Sequence, residues 1–218
     1  MLNFLPSPSQ LITYLIILLT AFPVHEFAHA WSADRFGDTT PRANGRLTLN
    51  PLAHLDPIGT LMMIMVGFGW AKPVPVNPYA LQKHSSAAPM LVSLAGPMSN
   101  LLMAIIASIP FRIGLVSATA IRQPTGLLPS LPWFLTTFIY INLLLMLFNL
   151  IPLYPLDGEK VLEYFLPPAG VRFLENIRPY SPLILMVLLF VLPLVGFNLL
   201  GTILMPALTS LTRLLIGI

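Results

Sequence analysis

His25-Glu26-Phe27-Ala28-His29 is the stretch of this chain best equipped for chemistry. On a helix each residue turns about 100°, so His29 lies about 40° from His25 and Glu26 about 100° from it. Two imidazoles one turn apart can hold one metal ion, and the carboxylate beside them can reach a water on that ion. With four His and four Glu in the chain, a chance match to H-E-x-x-H has odds of roughly one in a thousand. The alternative is a pair of histidines satisfied by hydrogen bonds inside a helix bundle.

The setting for this motif is apolar. The 218 residues are 56% hydrophobic and 9% charged, against about 25% charged in an ordinary soluble domain. Too few charges remain to cover a soluble surface, so an integral membrane protein is expected. The length allows a handful of spanning helices of about 20 residues each. The expected organisation is one transmembrane domain over 1–218, with its core at 10–165 and C-terminal helices at 180–218. The net charge of +3 reads as basic residues flanking membrane segments, and nothing points to nucleic acid. There is no cysteine, which leaves His, Asp and Glu as the strong metal ligands. The first nine residues carry no basic stretch, so no cleavable signal peptide is expected.

The elements that must position the motif follow from hydropathy and breakers. Residues 10–35 read as the first span, with the motif in its last third and Pro23 just before it. An ionisable residue inside a bilayer is costly and must face protein or a watered cavity. Residues 36–57 turn polar, with a tight-turn signal at Asn44-Gly45 and strand-like alternation over Arg46-Leu47-Thr48-Leu49. His54 in this stretch is either a further metal ligand or an ordinary loop histidine. Residues 58–69 are apolar but number only twelve, which fits a re-entrant or interfacial segment. Gly67-Phe68-Gly69-Trp70 then runs into the proline-rich Lys72–Pro78, which favours extended chain. That segment is either an edge that receives a substrate strand or a structural loop. Residues 89–111 form a second span, in which Ala95 and Gly96 point to close helix packing and Asn100 needs a polar partner. An interhelical hydrogen bond is one role for Asn100, and a catalytic role is the other. After a short loop at 112–130, residues 131–151 form a third span, with Asn142 and Asn149 seven apart on one face. Pro152 and Pro155 break that helix ahead of Asp157. Residues 180–205 read as a fourth span and 206–218 as a short interfacial helix. The expected fold is therefore an all-α polytopic membrane protein. It has about four spanning helices around a metal site and a re-entrant extended or β-hairpin segment after the first.

Charge counts orient it. Eight Lys/Arg lie in the loops after spans one and three, against three elsewhere. The first and third loops are thus expected in the cytoplasm, with both chain ends outside. His25, His29 and Asp157 then share one depth, toward the cytoplasmic side of a bacterial-type plasma membrane.

On these motifs the chain resembles the site-2 protease family of intramembrane zinc metalloproteases. The matching stretches are His25-Glu26-Phe27-Ala28-His29 and Asn149-Leu150-Ile151-Pro152-Leu153-Tyr154-Pro155-Leu156-Asp157-Gly158. Gly96-Pro97-Met98-Ser99-Asn100 looks like the family's middle helix, and Gly67-Phe68-Gly69 like its re-entrant β-loop. The resemblance implies one Zn²⁺ per chain on His25, His29 and Asp157, Glu26 as the catalytic base, and Asn149 beside the reacting carbonyl. It also implies Gly67, Gly69 and Asn100 as substrate contacts. Many members carry a PDZ domain between core helices; the corresponding loop here has about nineteen residues, so a minimal member is expected. The implied activity is hydrolysis of peptide bonds within or near transmembrane segments of membrane proteins, with those proteins and the lipid bilayer as partners. A non-proteolytic membrane metal protein or transporter is the alternative, and it has no need of a Glu at position 26.

Overall fold

The computed structural model describes residues 7–59, 70–122 and 126–218. Helix α1 (Pro8–Arg35) starts at a capping box, in which Ser7 and Gln10 satisfy one another's backbone N–H groups. It then runs unbroken through Pro23 to the polar loop. A short α2 (Pro78–His84), capped by Asn77, leads into α3 (Ala88–Arg112). Helix α4 (Leu131–Asn149) follows, then α5 (Asp157–Phe165), whose first residue is Asp157. The chain ends in α6 (Pro168–Leu194) and α7 (Leu199–Ile216). Five of these helices, α1, α3, α4, α6 and α7, are long and apolar enough to cross a membrane.

Helix α3 is the axis of the assembly: α1, α4, α5 and α7 all pack against it. His25 meets Asn100 and His29 meets Val92, so α1 and α3 run antiparallel. Ala104 of α3, Ile139 and Leu143 of α4, and Leu208 of α7 share one buried apolar cluster. The Arg112 guanidinium at the end of α3 donates to the carbonyls of Leu214 and Leu215 at the end of α7. Those carbonyls lack partners within their own helix, and a cation suits that end of the dipole. The start of α1, the end of α3 and the end of α7 thus lie at one end of the bundle.

The C-terminal part departs from expectation. The chain breaks at 195–198, not at 205. Pro193 and Gly196, at φ +89°, end α6, and Asn198 caps α7 by accepting from the Gly201 N–H. The stretch 206–218, expected as an interfacial helix, is most of α7, and it packs into the bundle. Helix α6 begins near the site and is little covered by protein. Arg178, ten residues past its start, donates to the buried Glu159 and to Glu163 of α5, with Lys160 completing the charge cluster.

The polar loop after α1 is cross-tied rather than sheet-like. The expected strand at Arg46–Leu49 is a pair of bends. Arg46 turns inward and donates to the carbonyls of Ala53, Lys72 and Pro73. Asp38, also buried, accepts from the backbone N–H groups of Thr40 and Asn77. Leu55 and Ala71 form an isolated antiparallel bridge, beside which the Lys72 N–H donates to the His54 carbonyl at 2.8 Å. The ends of the 56–70 segment are therefore held together. There is no β-strand among the described residues, and the expected hairpin centred on Gly67 and Gly69 lies outside them.

The geometry of Arg112 sets the parity of membrane crossings. α1 runs antiparallel to α3 and the end of α3 meets the end of α7, which predicts that both chain ends share one face. The chain has no cysteine, so single cysteines placed at Ser7 and at Gly217 can report this directly. Both are expected to react with a membrane-impermeant maleimide from the same face, and a cysteine at Val195 from the opposite one. Labelling of Ser7 and Gly217 from opposite faces would mean that α6 crosses as a fifth span.

Candidate metal centre

His25 and His29 project from α1 one turn apart, toward α3. Both rings are nearly buried, at 7% and 9% exposure. Their outer nitrogens are engaged: His25 Nδ1 lies 2.6 Å from Asn100 Oδ1, and His29 Nδ1 lies 2.7 Å from the Val92 carbonyl. Each of those partners is an oxygen acceptor, so each Nδ1 carries the proton and donates. Each neutral ring then has a bare lone pair at Nε2. The two Nε2 atoms face one another at 3.0 Å.

Asp157 brings the third group. Its Oδ2 is 3.3 Å from His25 Nε2 and its Oδ1 is 3.3 Å from His29 Nε2. Oδ2 is buried and accepts no hydrogen bond. With both rings in that neutral form, three acceptors converge with no donor among them, an arrangement that a cation resolves. Ligands about 2.0–2.1 Å from a tetrahedral zinc ion are themselves about 3.3 Å apart, so these separations suit it. Two imidazoles and a carboxylate form an ordinary zinc donor set with one position open, as in catalytic sites. Among the described residues, His25, His29 and Asp157 are the one group so arranged.

Backbone geometry makes room for this convergence. A Cβ on Gly96 would overlap both imidazoles, at His29 Nε2 and His25 Nε2. Glycine there lets α3 approach the rings directly. A Cβ on Gly158 would overlap the carbonyls of Leu150 and Ile151. Glycine there lets the start of α5 fold back against the end of α4, which carries Asp157 to the histidines. Asp157 is also the first residue of its helix, where the free N–H groups and the dipole favour a carboxylate.

The other expected site residues lie as follows. Glu26 follows His25 on α1 and is buried at 9% exposure. Asn100 is fully buried and bonded to His25, so the interhelical hydrogen bond is the role its side chain takes here. Asn149 ends α4 and donates through Nδ2 to the Leu145 carbonyl at 3.0 Å; it is not among the converging groups. His54 is buried but bonds through Nε2 to the Thr48 carbonyl at 2.8 Å, and it stands outside the cluster. Gly67 and Gly69 lie outside the described residues. Sequence reasoning missed the Val92 carbonyl, which no side-chain pattern can signal. It took Gly96 as a packing residue and as part of the stretch resembling the family's middle helix, but could not say that it faces the histidine pair.

Comparison with known proteins bears on the identity of this centre. The chain is 43% identical to a Bacillus subtilis protein named "putative zinc metalloprotease YwhC", over 88% of this chain and 86% of that one. It is 33% identical to "putative zinc metalloprotease Rip2" of Mycolicibacterium smegmatis, over 78% of this chain and 64% of that one. The Mycobacterium tuberculosis protein of the same name is 31% identical, over 80% of this chain and 65% of that one. No family model matches, and no solved structure matches. The relatives' names call for zinc, and the His-His-Asp geometry can accept it. With five apolar helices, the chain is a multi-pass membrane protein. It belongs to the site-2 protease family of zinc metalloproteases.

Proposed function

We propose that this protein is an intramembrane endopeptidase that hydrolyses peptide bonds within or near transmembrane segments of other membrane proteins. The observation that carries the reading is the convergence of His25 Nε2, His29 Nε2 and Asp157 beside a buried glutamate. His25, His29 and Asp157 hold one zinc ion. Zinc bound there lowers the pKa of a water toward neutrality and polarises a carbonyl.

The remaining work falls to the chain's own side chains. Glu26 accepts the proton of the attacking water and returns it to the leaving amine. Asn149 donates to the developing oxyanion through the second hydrogen of its NH₂, the other being held by the Leu145 carbonyl. A helical substrate hides its carbonyls in i-to-i+4 bonds, so it must unwind locally before attack. The segment from Gly67 to Asn77 is the candidate edge for the unwound strand. Its described part, Lys72–Asn77, forms no helix or strand and is held by Arg46 and Asp38. The excess of Lys/Arg in the loops after α1 and α4 supports a site toward the cytoplasmic side of a plasma membrane.

A metal transporter would also use buried His and Asp. It has no use for Glu26, and the names of the relatives favour hydrolysis. Glu26→Gln separates the two readings. In detergent or liposomes with a transmembrane substrate, this variant is expected to retain zinc and to lose about 10²–10⁴-fold in cleavage rate. Cleavage at the wild-type rate by Glu26→Gln would overturn the proposed mechanism. Gly96→Ala is expected to push the histidines apart and to abolish zinc retention while the protein still folds. Zinc content equal to wild type in that variant would contradict the tight packing of α3 on the rings.

A further inference from the structure

The lone pairs at the centre depend on which nitrogen of His25 carries the proton, and that choice is made two side chains away. His25 Nδ1 donates only if Asn100 presents its oxygen to it. The two ends of an asparagine amide have nearly the same shape, so Asn100 could equally present its NH₂. What orients Asn100 is Asn142 on α4: Asn100 Nδ2 donates to Asn142 Oδ1 at 2.9 Å. Asn142 faces the same ambiguity, and it is resolved by the backbone. Asn142 Nδ2 donates to the Phe138 carbonyl at 2.9 Å. A carbonyl oxygen can only accept, so it fixes the polarity of the whole chain. Phe138 takes the Asn142 NH₂, Asn142 offers oxygen to Asn100, and Asn100 offers oxygen to His25. Asn100 and Asn142 are both fully buried, so no water is available to satisfy the reversed order.

We infer that Asn142 is a positioning residue that locks His25 in its Nδ1–H form and thereby keeps the Nε2 lone pair free for a cation. Without it, Asn100 can turn its NH₂ toward His25 Nδ1. His25 then carries its proton on Nε2 and donates across the 3.0 Å gap to His29 Nε2. A shared proton in that gap satisfies the pair and competes with metal. The relay also ties α4 to α1 through α3, so the electronic state of the centre is set by the packing of three helices.

The zinc part of this inference rests on the function proposed above; the tautomer part does not. The test compares Asn142→Leu with Asn142→Asp, whose carboxylate oxygen still accepts from Asn100 Nδ2 and so keeps the Asn100 oxygen turned toward His25. Asn142→Thr serves as a second loss variant, because its hydroxyl can bond the Phe138 carbonyl yet is too short to reach Asn100. Two quantities are read on folded protein in detergent. One is the zinc dissociation constant by competition with a chromogenic chelator. The other is the protonation of the two His25 ring nitrogens by ¹⁵N NMR of zinc-free protein at alkaline pH, assigned against His25→Ala. Wild type and Asn142→Asp are expected to show Nδ1–H. Asn142→Leu and Asn142→Thr are expected to show Nε2–H and to bind zinc about 10- to 100-fold more weakly. Unchanged tautomer in both loss variants would overturn the inference, even with weaker zinc binding, because the loss would then be only structural. Wild type that takes up no zinc would instead remove the metal reading, and the tautomer result would still decide the role of Asn142.

Discussion

The structure turns on one electrostatic constraint: three hydrogen-bond acceptors, His25 Nε2, His29 Nε2 and Asp157, are brought within about van der Waals contact inside an apolar bundle. Lone pairs left unpaired in such a place are costly. Much of the surrounding architecture serves to hold them there. Gly96 lets α3 come close enough to wall in the rings, and Gly158 lets α5 fold back so that Asp157 can reach them. The Val92 carbonyl and Asn100 take up the outer ring nitrogens, which fixes both imidazoles by their far sides. Outer-shell bonds of this kind orient metal-binding histidines and fix their tautomers in general.

Away from the centre, the polar ends of the molecule are tied by charged side chains aimed at backbone carbonyls and N–H groups. Arg46 gathers carbonyls from both sides of the 56–70 segment, and Asp38 anchors the approach to α2. Arg112 closes the opposite end of the bundle by capping α7. Arg178 joins α6 to α5, two residues from Asp157, through the buried Glu159. In a chain with so few charges, these residues are spent on joints between elements rather than on a solvated surface.

The parts of this arrangement written in local sequence were legible there. H-E-x-x-H gave two of the three converging groups because helical spacing alone puts them on one face. The run through Asp157-Gly158 pointed to the third through shared depth and family resemblance. The apolar runs gave α1, α3 and α4 to within a few residues. Legibility failed where tertiary geometry decided. The break between α6 and α7 depends on Gly196 adopting a positive φ and on Asn198 capping, inside a run whose hydropathy is continuous. Alternation at Arg46–Leu49 looked strand-like, but the buried guanidinium draws the backbone into bends. Asn142 read only as a face-mate of Asn149, since nothing in a single sequence says which of two amides meets a third on another helix. His54 carried the right chemistry and the wrong place, bonded to Thr48 instead of joining the centre.

The central claim is the identity of the converging ligands, and X-ray absorption at the zinc edge of the purified protein tests it most directly. Multiple scattering counts imidazoles, and the first-shell distance separates nitrogen and oxygen donors from heavier ones. The account predicts one zinc per chain with two imidazoles and oxygen donors at roughly 2.0–2.2 Å. A third imidazole would bring in His54 or His84 in place of Asp157. A spectrum without imidazole, or well-folded protein that holds no zinc, would contradict the account outright.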